Sequence, residues 1–200
     1  IHHEPVGIVA AFTAWNYPAV LIARKLAPAL AAGCSVIVRP SSQTPGTAMV
    51  LVDCCRAGGL PEGTVNLLTG STEATYAPLM ADKRVRKVSL TGSTRVGQQM
   101  IRDAADTLKK VSMELGGNAP LIVFDDADLK TALDTAVATK FANAGQVCVT
   151  PDRFYVHDRV HDAFVEGFVE RTRAIRLGDG LDASVGMGPL INARRLSEIE

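Results

Sequence analysis

The 200 residues carry no net charge, since 21 Lys and Arg balance 21 Asp and Glu. Without a basic field nothing attracts nucleic acid or anionic lipid, and no block of like charge forms a tail. The expected partner is a small molecule. A membrane span is missing too: the most apolar stretch, "PAVLIARKLAPALAAGCSVIV", is interrupted by Arg24, Lys25 and Gly33, and charges inside a span are costly. A soluble protein is expected. Cysteine is sparse. Cys34, Cys54, Cys55 and Cys148 include no C-x-x-C pair, which excludes the common zinc and dithiol spacings and favours free thiols in a reducing, cytoplasmic compartment. His2 and His3 are adjacent at the start, and His157 and His161 flank a predicted helix N-terminus; all four are read as surface residues. The opening "IHHEPVGIVAAF" has neither an initiator Met nor a basic segment leading into a cleavable apolar one, which leaves a removed leader open. Internal repeats and low-complexity segments are absent.

What is present is alternation. Short apolar runs, "VGIVAAFT", "SVIVR", "VNLLTG", "KVSLTG" and "KVSMELG", read as strands, and the stretches between them repeat apolar residues at three and four spacing. Helices are expected at about 18–32, 44–57, 73–81 and 94–107, the second entered through "SSQTPG". This is the pattern of an α/β fold, a Rossmann-like, doubly wound parallel sheet. In such sheets ligands sit at the C-terminal strand ends, so "FTAWN", "VRPSS", "LLTGS" and "SLTGS" should share one rim. After "ELGGNAP" the chain changes: a strand "LIVF", an Asp-rich helix entry, a long helix through Leu129, Leu133, Val137 and Phe141, then "DRFYVH" and another helix. The expected division is a cofactor domain over 1–115 and part of an α/β catalytic domain over 116–200, with Gly116, Gly117 and Pro120 as a hinge.

Individually the polar positions read blandly. "SLTGSTRVG" is neither G-x-G-x-x-G nor a P-loop, and its Gly92 and Ser93 suit a turn with a helix cap, although a helix N-terminus also receives phosphate. Asn16 before a helix is ordinarily a cap, Glu114 at a strand end a structural acceptor, and Cys148 a buried, inert thiol.

Together "AWNYP", "VRPSSQTP", "LTGSTRVG", "MELGGNAP" and "NAGQVC", in this order and separation, resemble the aldehyde dehydrogenase superfamily. The likeness runs along essentially the whole chain and is greatest to the succinate-semialdehyde dehydrogenase group, as a central segment of a longer enzyme. The resemblance implies NAD(P)-dependent oxidation of an aldehyde to a carboxylic acid. Cys148 would be the nucleophile, forming a thiohemiacetal and then a thioester; Asn16 would donate to the oxyanion; Glu114 would be the general base that activates water. Cofactor contacts would fall to Trp15, Arg39, Pro40, Ser41, Ser42, Gly92, Ser93, Gly97 and Leu115. Arg39 stands where the family usually has Lys, and Ser42 where NAD-preferring members carry Glu, which makes NADP acceptable and slightly favoured over NAD.

For the substrate, Arg24 matches one arginine of the succinate-semialdehyde group, while the second expected position is Ala142. Thr150 stands where some relatives carry a second cysteine, so no redox switch is expected. A homodimer or homotetramer is implied for the full-length protein. Two other readings remain: a non-catalytic nucleotide-binding fragment, and an acyl-transferring enzyme using coenzyme A, which Glu114 disfavours.

Overall fold

A computed structural model describes residues 4–200; His2 and His3 lie outside the described residues. The chain divides into two compact units, Ile1–Gly116 and Gly117–Glu200.

The first unit is the doubly wound α/β sheet that the alternation predicts. Five parallel strands, β1 (Ile8–Phe12), β2 (Val36–Arg39), β3 (Val65–Leu67), β4 (Val85–Thr91) and β5 (Lys110–Glu114), stand in the order β3-β2-β1-β4-β5. Alternation along β1 decides which helices cover which face. Val9 and Ala11 join Val36 and Val38 beneath α1 (Pro18–Ala31) and α2 (Pro45–Ala57), with Ile22, Leu26 and Ala48 supplying the helical side. Ala10 and Phe12 face the other way with Val88 and Leu90, against Met80 of α3 (Thr72–Ala81) and Met100 and Ala104 of α4 (Thr94–Ala105). The helices therefore change face between β1 and β4, where a doubly wound sheet opens a crevice at its C-terminal rim.

Local chemistry sets the element ends. Pro occupies the first turn of α1 and α2, where its missing N–H is no loss. Ser71 and Ser93 cap α3 and α4, their hydroxyls accepting from Ala74 N–H (3.1 Å) and Val96 N–H (3.4 Å). Gly33, at φ +76°, closes α1, with Cys34 N–H donating back to Ala29 O (2.9 Å). Thr44 departs from expectation: it precedes α2 but makes no side-chain cap bond. Helix α4 stops at Ala105, two residues before the expected end. The next turn carries Leu108 at φ 51°, and Lys109 turns inward to donate to Asp82 O (2.7 Å) and Val85 O (2.9 Å).

The second unit is a smaller α/β layer. Parallel strands β6 (Ala119–Val123) and β7 (Pro151–Val156) are joined through α5 (Leu129–Phe141), followed by α6 (Asp158–Arg173) and α7 (Ala193–Ile199). Its core is Val123, Leu133, Ala136 and Phe164, with Phe154 and Phe168 packed alongside. Asp128 caps α5 through Thr131 N–H (2.7 Å), and His157 caps α6, its Nδ1 accepting from Arg159 N–H (3.2 Å). Among the described residues, no helix is long and apolar enough to cross a membrane.

Candidate functional site

Parallel pairing brings the first unit's candidate residues to one rim. Phe12 is in register with both Arg39 and Leu90, and Thr91 with Glu114. Two backbone bonds carry the ladder past the strand ends, Thr13 N–H to Arg39 O (3.2 Å) and Gly92 N–H to Glu114 O (3.0 Å). Trp15 and Asn16, Arg39–Ser42, Gly92–Ser93 and Glu114 thus all follow or close the C-terminal ends of β1, β2, β4 and β5. The cap position of α1 belongs to Tyr17, without a side-chain cap bond, so Asn16 does not occupy the capping position that an Asn before a helix usually takes. Ser93 does cap α4, and its local role is satisfied whether or not a phosphate binds there.

Gly97 has a packing reason. A Cβ at this position would lie 2.7 Å from Leu115 Cδ2, so its absence lets α4 approach the segment after β5, and these two residues of the expected cofactor set touch each other. Ser42 is exposed, Ser41 half-buried and Pro40 buried.

Arg39 is placed differently from a side chain reaching into open solvent. It is 9% exposed, and its guanidinium donates to Pro40 O (2.8 Å), Gly70 O (3.0 Å) and Thr72 Oγ1 (2.9 Å). These acceptors are neutral. Among the described residues its Nε has no acceptor, and a buried donor left without one is costly. The rim, the positive N-terminal end of α4 and this cation suit a phosphate-bearing cofactor.

Lys25, on α1, is another buried cation, donating to Ser89 Oγ (2.9 Å) on β4. Burial pushes its ammonium down to about 8, against the opposing pull of the Glu114 carboxylate; Lys87 adds to the lowering. The folded state therefore binds fewer protons at this site than the unfolded chain between about pH 8 and the ordinary lysine range. Stability contributed here rises as pH climbs through that window. Lys25→Met should flatten the rise, measured as unfolding midpoint against pH from 7 to 10. Arg24, next in sequence, is exposed on the same helix.

In the second unit Cys148 is not the buried thiol that its small-residue context suggests. It is exposed, at the tip of a tight turn closed by Thr150 N–H to Val147 O (3.1 Å). Both shoulders of the turn are buried: Gln146 is 8% exposed and Thr150 4%. Before it the backbone runs left-handed for three residues, Asn143 (φ 50°), Ala144 (φ 55°) and Gly145 (φ 73°). For residues with a Cβ this costs on the order of 1 kcal/mol each. Ala142, where a substrate arginine is expected, is half-buried at the start of that turn. Among the described residues, no three His, Cys, Asp or Glu side chains group as metal ligands.

Residues 1–200 match the aldehyde dehydrogenase family. The chain is 48% identical over 197 residues to succinate-semialdehyde dehydrogenase [NADP(+)] GabD of Escherichia coli (strain K12), covering 98% of this chain and 41% of that protein. It is 49% identical over 197 residues to 3-sulfolactaldehyde dehydrogenase of Pseudomonas putida, covering 98% of this chain and 40% of that one. A crystal structure of an E. coli NADP dependent enzyme superposes with a TM-score of 0.96 at 48% identity, over 98% of this chain and 41% of that chain. The chain thus spans about two fifths of the length of the relatives it matches.

Proposed function

The chain belongs to the aldehyde dehydrogenase family, and we propose that the full-length protein oxidises an aldehyde to a carboxylic acid with NADP or NAD, using Cys148 as nucleophile. The observation that carries this reading is the exposure of Cys148 at the tip of a turn with buried shoulders. Structural cysteines are mostly buried; a thiol exposed on a tight turn that follows a left-handed segment suits a nucleophile.

The thiolate adds to the aldehyde carbon, and the oxyanion that develops takes hydrogen bonds from the Asn16 side-chain amide and the Cys148 backbone N–H. Glu114 takes a proton from the water that releases the acid from the thioester. When bound, NAD(P) supplies the hydride acceptor. The residues proposed to hold it are Trp15, Arg39–Ser42, Gly92, Ser93, Gly97 and Leu115, with 1–115 as the cofactor domain and 116–200 as part of the catalytic one. Ser42 in place of a carboxylate, beside the buried Arg39 cation, favours NADP, because no negative side chain there repels a 2'-phosphate.

The substrate proposed is an aldehyde with an anionic group at its far end. The named substrates of the two relatives, succinate semialdehyde and 3-sulfolactaldehyde, are both of this kind, and Arg24 is the residue proposed to meet the anion. The test is a panel on the full-length protein: succinate semialdehyde, 3-sulfolactaldehyde and uncharged butanal, each with NADP and NAD. One charge-assisted hydrogen bond contributes about 1.5–3 kcal/mol, so the anionic aldehydes should lead in kcat/KM by roughly 10-fold or more. Equal values for butanal would refute the anionic substrate, exclusive use of NAD would refute the cofactor preference, and no turnover of any aldehyde would refute the activity.

A further inference from the structure

Gln146 is one of the few polar side chains buried in the second unit, at 8% exposure, and it lies two residues before Cys148. Its amide is used at both ends. Nε2 donates to Asn143 O (2.9 Å), and Oε1 accepts from Ile191 N–H (3.0 Å), 45 residues further along the chain. Its own backbone N–H also donates to Asn143 O (3.1 Å). One carboxamide therefore closes the left-handed turn 143–145 upon itself and fastens it to the segment ahead of α7.

That fastening has something to oppose. Asn143 and Ala144 hold left-handed backbone angles that residues with a Cβ adopt rarely, so the turn needs partners to persist. Downstream, the Val147–Thr150 turn is short, so the direction of the Cys148 side chain follows the orientation of Gln146. We propose that Gln146 is the positioning residue of the nucleophile: its two amide bonds hold the turn that sets where Cys148 points, and with it the direction of the Cys148 backbone N–H. This rests on the reading of Cys148 as the nucleophile. A side chain able both to donate to Asn143 O and to accept from Ile191 N–H at this length is a primary carboxamide, which explains the residue type.

The test uses the full-length protein and three variants. Gln146→Met keeps the volume and loses both bonds. Gln146→Glu keeps the acceptor for Ile191 N–H and loses the donor. Ile191→Pro removes the N–H from the opposite side and covers the case in which Gln146→Met does not fold. Three quantities are read: kcat and KM, the rate of Cys148 alkylation by iodoacetamide followed on its own peptide by mass spectrometry, and the unfolding midpoint. Expected for Gln146→Met are a 10- to 100-fold fall in kcat with the cofactor KM within twofold, and at least a fivefold change in alkylation rate. Gln146→Glu should lie between it and wild type, and Ile191→Pro should follow Gln146→Met. A folded Gln146→Met, or a folded Ile191→Pro, with kcat and alkylation both within twofold of wild type overturns the proposal. Failure of the nucleophile reading is distinguishable: Cys148→Ala would then retain turnover, whatever the Gln146 variants do.

Discussion

Replacing Cys148 by Ala in the full-length protein should lower aldehyde oxidation by roughly 10⁴- to 10⁶-fold, the scale on which loss of a covalent nucleophile is felt. Without the thiol no thiohemiacetal forms, and the two easier steps revert to one difficult one. Binding should survive, because the proposed cofactor residues lie in the other compact unit, Ile1–Gly116; NADPH affinity by titration should therefore stay within about twofold. The remaining thiols provide the control. Cys34 is buried, Cys55 half-buried and Cys54 exposed on α2, and Cys54→Ser should leave turnover unchanged. Cys148→Ser sharpens the result, since a hydroxyl in the same place is a far poorer nucleophile than a thiolate and should recover almost nothing. Turnover above a few per cent of wild type in Cys148→Ala would remove the residue from the chemistry.

Much of the fold was legible because its signals are local. Alternating apolar strands, Pro18 and Pro45 at helix entries, Ser93 at a cap position and the Asp-rich entry that ends in Asp128 act within a few residues of where they are written, and each is seen in the structure. The exceptions are long-range. Lys25 interrupts an apolar run and counts there only against a membrane span, yet it is buried on Ser89, 64 residues away. Arg39 is a cofactor contact only by the resemblance, and its buried guanidinium is also held by Gly70 and Thr72, 31 and 33 residues on. Nothing near either residue names those partners.

The candidate site divides the same way. The strand-end positions of Asn16, Arg39, Ser93 and Glu114 follow from parallel topology alone, because every parallel strand delivers its C-terminal residue to the same rim. The exposure of Cys148 does not follow. "NAGQVC" offers one turn signal, Gly145, while Asn143 and Ala144 have no intrinsic reason to be left-handed. From that turn Gln146 reaches Ile191, a contact with no local trace. The only local signal of Gln146 is a carboxamide two positions before the cysteine.

Glu114→Gln should separate the two halves of the proposed reaction. Gln preserves size and hydrogen bonding but cannot take a proton, so only steps that need a base at this position should slow, by about 10²- to 10⁴-fold. Glu114 is the last residue of β5, its carbonyl fixed by Gly92 N–H (3.0 Å) and its side chain exposed, so the substitution has little structural consequence. If Glu114 activates the hydrolytic water, mixing enzyme, aldehyde and NADP rapidly should still give one equivalent of NADPH per active site, after which turnover nearly stops with the acyl group on Cys148. Hydroxylamine should then restore the rate, because it attacks a thioester without a base to deprotonate it, and intact-mass measurement before its addition should find the acyl adduct. Loss of the first equivalent together with steady-state turnover would instead place Glu114 before the thioester, as the base for the thiol. An unchanged steady-state rate would exclude it from both steps and return it to the ordinary role of a strand-end carboxylate.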